Sequence, residues 1–243
     1  MPIKTFHLPD PNRQPPAEQR RQRALIGGAI EQRRLHGTPS DLKGTFVLDP
    51  VYRAEHEGQL RDWCATQDPR PLTIEVGFQM GEFAAAYAAQ HPERRYLGFE
   101  VRKSYCETAS EAFETGGVAN ARVALVDARE MIPRVLQMGS LDELFVFFPD
   151  PWWKPRHVKK RLISPEFVAD AAQWLRPGGR LLFKSDVQEY ADWAAGIFSA
   201  DGHFDVERLA DPQADIPLTL RERRCRYHGR PTWAVEAKRN LNP

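Results

Sequence analysis

From residue 71 onward, short apolar or β-branched runs alternate with Ala- and Glu-rich segments of helical length. The runs are "LTIEV" (72–76), "RYLGFEV" (95–101), "RVALVD" (122–127), "LFVFF" (144–148) and "RLLFKS" (180–185), all of strand length. Between them lie "EFAAAYAAQ", "SYCETASEAFETG", "AREMIPRVLQM" and "SPEFVADAAQWLRPGG". In the last of these, Ser164 is the predicted N-cap, Pro165 takes the first helical position and Gly178 is the stop signal. Strand and helix in regular alternation predict a parallel, doubly wound α/β sheet with one core.

The first 45 residues break this pattern. They are rich in Pro, Arg and Gln, which predicts an extended or poorly ordered basic arm over 1–45 and a folded domain over 46–243. Within the arm, "AEQRRQRALIGGAIEQRRL" reads as a short helix broken at Gly27 and Gly28. Of the 243 residues 42% are hydrophobic and 28% charged, ordinary values for a soluble globular protein. No apolar run reaches the roughly 18 residues of a membrane span and no signal-peptide h-region opens the chain, so a cytoplasmic protein is expected. Cys64, Cys106 and Cys225 are scattered and odd in number, which suggests neither a disulfide framework nor a zinc site.

Net charge is only +1, yet it is unevenly spread. Residues 154–161 carry Lys154, Arg156, Lys159, Lys160 and Arg161 with no acid, and residues 219–230 carry five Arg against Glu222. The arm is also basic, so the remainder is acidic. An acidic body with local cation clusters suits docking of a polyanion, because affinity for phosphates comes from the cations that neutralise them.

Sheets of the predicted kind bind ligands beyond the carboxyl ends of their strands. Each of the five strands delivers an acid there: Glu75, Glu100, Asp127, Asp150 and Asp186. The first connection, "IEVGFQMGEF" (74–83), is a strand, a turn with Gly77 and Gly81, and a helix start. It lacks G-x-G-x-x-G, and Glu75 and Glu82 flanking the turn would repel a pyrophosphate, which disfavours a nicotinamide dinucleotide. S-adenosylmethionine carries a sulfonium, an ammonium and no phosphate, and suits an acidic edge. Glu100 lies 19 residues after Gly81, the separation at which an acid commonly takes ribose hydroxyls.

These residues carry a resemblance. "IEVGFQMGEF", "YLGFEV", "FFPDPWWKPRHVKKRL", "LRPGGRLLFKSD" and "TLRERR" followed by "HGRPTWAVEAKR" resemble, in order and spacing, the motifs of the bacterial tRNA (guanine-N7)-methyltransferase family across residues 72–239. The resemblance implies a Rossmann-like class I methyltransferase fold with a mostly parallel seven-stranded sheet, S-adenosylmethionine as cofactor, and a guanosine in the tRNA variable loop as target. Motif by motif, it makes Glu75, Glu100, Asp127 and Asp150 the cofactor-site acids, beside the turn whose Gly77 and Gly81 allow close backbone approach to the cofactor; Asp150, at the tip of the fourth strand, is the expected catalytic acid. Lys154, Asp186 and the segment Thr219 to Glu222, with Arg221 in it, become substrate contacts, and Arg156 and His157 read from their own chemistry as further contacts to the RNA. No metal and no membrane partner are implied, and monomer and homodimer both stay open. Gln79 departs from the small residue that the family favours between the two glycines. A noncatalytic tRNA-binding protein on the same scaffold, or a methyltransferase for another RNA, are the competing readings.

Guanine N7 has an in-plane lone pair that is unprotonated at neutral pH, so methyl transfer to it needs no general base. Positioning and charge stabilisation are the task. In "FPDPWWKPRH", Pro149 and Pro151 stiffen the turn that aims Asp150, Trp152 and Trp153 offer aromatic walls or core packing, and the cations hold phosphates. Whether Asp150 grips base or cofactor is open at this level, as is a helix-capping role for Thr219 and Glu222.

Overall fold

The computed structural model describes residues 45–47, 53–65, 68–152, 154–209 and 216–241. The arm expected over 1–45 and its Gly27–Gly28 helix lie almost wholly outside the described residues, as does Trp153.

Eight strands form one sheet: β1 (Thr45–Val47), β2 (Leu72–Val76), β3 (Arg95–Glu100), β4 (Ala121–Leu125), β5 (Leu141–Phe147), β6 (Leu175–Ser185), β7 (Phe204–Leu209) and β8 (Trp233–Arg239). Their spatial order is β1-β4-β3-β2-β5-β6-β8-β7. Strands β2 to β6 are parallel, and β8 runs antiparallel between β6 and β7. The expected seven strands are β2 to β8, and the three-residue β1 extends the sheet beyond β4.

The helices are α1 (Arg53–Cys64), α2 (Glu82–Gln90), α3 (Lys103–Thr115), α4 (Ala128–Val135), α5 (Pro165–Trp174), α6 (Gln188–Asp201) and α7 (Leu220–Tyr227), with a 3-10 helix at Pro155–Lys160. Strands buried on both sides still alternate, because successive side chains point to opposite faces. Ile74, Leu97, Leu144, Val146, Leu181 and Phe183 join a core with α1, α4, α5 and α6. Tyr96, Phe145, Phe147 and Leu182 face the other way, onto α2 and α3.

The Ser164 hydroxyl caps α5 by accepting from the Phe167 N–H at 3.2 Å, with Pro165 at the first helical position. The helix stops at Trp174, before the expected Gly178, because residues 175–179 already belong to β6. Gly178, at φ +78, lies instead in the irregular start of that strand.

The chain runs outward from β2 to β4 and then returns to lay β5 against the other side of β2. Such a reversal opens a crevice at the carboxyl ends of β2 and β5. The opposite end of these strands is closed by the buried Glu143. It accepts from the Thr73 hydroxyl at 2.8 Å, from the Tyr87 hydroxyl and from Arg180 Nε at 2.9 Å. Polar chemistry at that end is consumed internally.

Candidate cofactor and substrate cleft

A solvent-open cleft of about 380 Å³ occupies the crevice, bounded by the β2–α2 turn, by Phe147 and Phe148 at the end of β5, and by Thr219, Leu220 and Arg221 at the cap and start of α7. The turn takes three left-handed residues, Gly77 (φ +80), Gln79 (φ +54) and Gly81 (φ +76). A Cβ on Gly81 would lie 2.4 Å from the Ala109 Cβ on α3, so this glycine is required by both φ and space. Phe78, between them, drops into the protein onto Gly98 of β3, where a Cβ would meet its ring at 2.4 Å. That seat, with the Gly77 N–H donating to the Phe99 carbonyl at 2.7 Å, anchors the turn to the sheet.

Gln79 is exposed on the cleft wall, while its N–H donates to Glu100 at 3.3 Å. The backbone here wants glycine, and a side chain in the left-handed region costs about 1–2 kcal/mol. Gln79→Gly is therefore expected to raise folding stability by about 1 kcal/mol after its greater chain entropy is counted, read as a higher urea midpoint. A lower midpoint would count against a strained turn.

The parallel strands bring Glu75, Glu100, Asp127, Asp150 and Asp186 to one edge. Glu75 is buried, accepts from the Tyr96 hydroxyl, and has its pKa pushed up to about 8, chiefly by burial. Glu100 is also raised by burial, opposed by the N–H groups of Val101 (2.8 Å) and Arg102 (3.1 Å) on one oxygen and of Gln79 on the other. Asp127 caps α4 through the Arg129 N–H (3.0 Å) and is held below the usual carboxylate range by the Arg129 side chain at 2.6 Å.

For Glu75 the folded form keeps its proton to higher pH than the unfolded chain, so its favourable contribution is full below 4.5 and declines as pH rises toward about 8. Urea unfolding across that window is expected to show falling stability that Glu75→Gln flattens. An equal slope in the variant would assign the dependence elsewhere.

Asp150 is exposed at the crest of a strained turn whose flanking residues Phe148 (φ +52) and Trp152 (φ +41) are both left-handed. Two contacts hold that turn. The Phe148 N–H donates to the Lys184 carbonyl at 2.7 Å, and Arg161 Nε donates to the Pro151 carbonyl at 2.8 Å. The Arg161 guanidinium is buried over the rings of Tyr190 (5.3 Å) and Trp193 (5.4 Å). Of the five cations in 154–161, Arg161 is thus a brace and not a phosphate contact, which its place in a charge run concealed.

The other four face solvent on the 3-10 helix and its cap: Lys154, Arg156, Lys159 and Lys160. Lys160 Nζ lies 5.1 Å over the Trp152 ring, against whose edge His157 packs. Arg156 Nε donates to the His157 ring nitrogen at 3.3 Å. The His157 pKa is lowered by partial desolvation and by Lys160, Arg156 and Lys154.

The α7 wall of the cleft is built on an unanticipated buried ion pair. Lys184, 2% exposed near the end of β6, donates to Glu222 at 2.6 Å, with Glu222 itself 1% exposed. The other Glu222 oxygen accepts from the Thr219 N–H at 2.7 Å while the Thr219 hydroxyl accepts from the Glu222 N–H at 3.1 Å, a complete capping box. Glu222 therefore points into the protein, whereas Thr219 and Arg221 line the cleft. Arg221 pairs with Asp186 across the wall. A lysine at the buried end of an apolar strand and a lone acid in an arginine-rich helix were the available signals for this pair.

The lining suits S-adenosylmethionine: the buried Glu75, a glycine-opened turn and the aromatic walls of Phe147 and Phe148 bound the cleft, Glu100 sits behind the turn on the Gln79 N–H, and no cluster of cations asks for a phosphate. Among the described residues no group of three or more His, Cys, Asp or Glu could hold a metal ion. Nor is any helix among them long and apolar enough to cross a membrane.

Residues 69–235 match a family described as putative methyltransferase. The tRNA (guanine-N(7)-)-methyltransferase of Cutibacterium acnes is 40% identical over 131 residues, 54% of this chain but only 48% of that protein, so the match spans about half the relative's length. The protein of the same name from Paracidovorax citrulli is 37% identical over 198 residues, covering 80% of this chain and 77% of the relative. Among solved structures, the 16S rRNA methyltransferase KamB superposes with a TM-score of 0.54 over 86% of this chain and 97% of its own, at 18% identity, a likeness of fold alone. With a family match over more than half its length and a relative aligned across most of both chains, this chain belongs to the tRNA (guanine-N7)-methyltransferase family.

Proposed function

We propose that the protein transfers the methyl group of S-adenosylmethionine to N7 of a guanosine in the tRNA variable loop, in the cytoplasm. The observation that carries this reading is the juxtaposition, at one sheet edge, of an acid-lined cleft with the braced Asp150 turn and its solvent-facing cations. When bound, S-adenosylmethionine supplies a transferable methyl on a sulfonium.

The protein's own task is geometric and electrostatic. Glu100, fixed by three N–H groups, takes the ribose hydroxyls, and Glu75 lies beside the methionine end as a hydrogen-bonding group. Asp127 caps α4 and frames the adenine side. Thr219 and Arg221 form a polar wall facing the turn, with Asp186 holding Arg221 in place. Lys154, Arg156 and His157 meet the RNA backbone beside the target. The Asp150 carboxylate accepts from the guanine N1–H and 2-amino edge and opposes the positive charge that grows on the base. Holding the base in line with the methyl removes the entropy of bringing the two together.

The direct test incubates the protein with methyl-labelled S-adenosylmethionine and unmodified tRNA, then maps label by cleavage at N7-methylguanosine. Label at one variable-loop guanosine is expected. tRNA binding without transfer would favour the noncatalytic scaffold, and label in another RNA would change the substrate.

A further inference from the structure

The outer face of α7 has a composition that the cleft does not explain. Its inward residues are Glu222 and Cys225, and Glu222 is spent on Lys184. Two of its arginines are engaged at the cleft rim, Arg221 with Asp186 and Arg223 with Glu82. Further along lie Arg224, Arg226, Tyr227 and His228, all exposed, and residues 223–230 contain no acid. Tyr227 is 87% exposed, one of four large hydrophobic side chains so placed among the described residues. Gly229, at φ +61, ends the helix there, with the Arg230 N–H returning to the Cys225 carbonyl at 2.8 Å, so the tyrosine stands on a closed corner of the fold.

Arginines in a last helical turn complement the helix dipole, which would account for Arg224 and Arg226. It does not account for a solvated tyrosine beside them. Cations flanking an open aromatic ring are the composition that grips single-stranded nucleic acid: phosphates on the cations and a base on the ring. The eight residues of α7 span about 12 Å from the cleft wall to Tyr227, within reach of a nucleotide adjoining one held in the cleft.

We infer that the outer face of α7 is a second RNA-docking surface, on which Tyr227 stacks an unpaired base flanking the target while Arg224 and Arg226 neutralise its phosphates. This rests on the reading of tRNA as substrate, and it adds a contact outside the cleft.

The test measures the Kd of unmodified tRNA by filter binding over a salt series for the full chain, for Tyr227→Ala, for Tyr227→Phe and for Arg224→Ala/Arg226→Ala. The Kd for S-adenosylmethionine serves as the control of folding. Tyr227→Ala is expected to weaken tRNA about 10-fold, and Tyr227→Phe to bind as the parent does. The double arginine variant should lower the slope of log affinity against log salt by about 1.5. A Tyr227→Ala variant within twofold of the parent overturns the inference, whatever the arginine variant does. Tyr227-dependent binding by a protein that transfers no methyl keeps this surface and sinks the proposed function. Methyl transfer indifferent to Tyr227 does the reverse.

Discussion

Replacing Lys184 with methionine is expected to cost about 3–5 kcal/mol of folding stability, the penalty for stranding one partner of a buried ion pair. Methionine matches the length and apolar stem of lysine and can remain over the Phe147 ring, which the ammonium now overlies at 5.2 Å. What it removes is the charge facing Glu222. That carboxylate is 1% exposed and keeps its capping-box contact with the Thr219 N–H. Urea unfolding of the single variant measures the loss. The double variant Lys184→Met/Glu222→Leu leaves neither charge of this pair and should recover all but the helix cap, about 1 kcal/mol. A single-variant loss below 1 kcal/mol would mean that the pair does not hold α7 to the sheet. The double variant also separates stability from function, because α7 carries Thr219 and Arg221 to the cleft.

Asp150→Asn is expected to lower methyl transfer at saturating substrates at least 100-fold while leaving tRNA affinity within a few-fold. Asparagine has nearly the shape of aspartate, so the turn between Pro149 and Pro151 and its Arg161 brace stay in place. The substitution removes a negative charge opposite the base as it becomes cationic, and replaces one acceptor oxygen with a donor facing the guanine N1–H edge. The exposed cations Lys154, Arg156, Lys159 and Lys160 are untouched, so affinity should hold. Turnover within threefold of the parent would remove Asp150 from the reacting site. A matching loss in tRNA affinity would make it a binding residue alone.

The parallel half of the fold is legible in the chain because strands β2 to β6 are buried on both faces and so read as dense apolar runs. Strands β7 and β8 escape the same reading. In "FDVERL" polar and apolar residues mix, and most positions of this edge strand are at least partly exposed. In "WAVEAKR" charged residues interrupt the apolar ones: Glu236 pairs with Arg180 of β6 at 3.4 Å, and Lys238 lies exposed between Arg180 and Asp205. The acids of the carboxyl edge were visible because a strand end is marked by its own sequence. Arg161 and Lys184 were not, since a buried guanidinium or ammonium is written with the same letter as a solvated one. Their partners, the Pro151 carbonyl, two aromatic rings and Glu222, are up to 38 residues away in the chain or belong to the backbone.

The seat of Phe78 on Gly98 has a consequence for how the family can vary. Phe78 borders the cleft while Gly98 lies beneath it, and a methyl group at 98 would collide with the ring that anchors the β2–α2 turn. A side chain at 98 is admissible only alongside a smaller residue at 78, and a smaller residue at 78 alone leaves a void under the turn. The two positions are therefore bound to drift together, as a coupled pair whose covariation reports the height of the turn above the sheet.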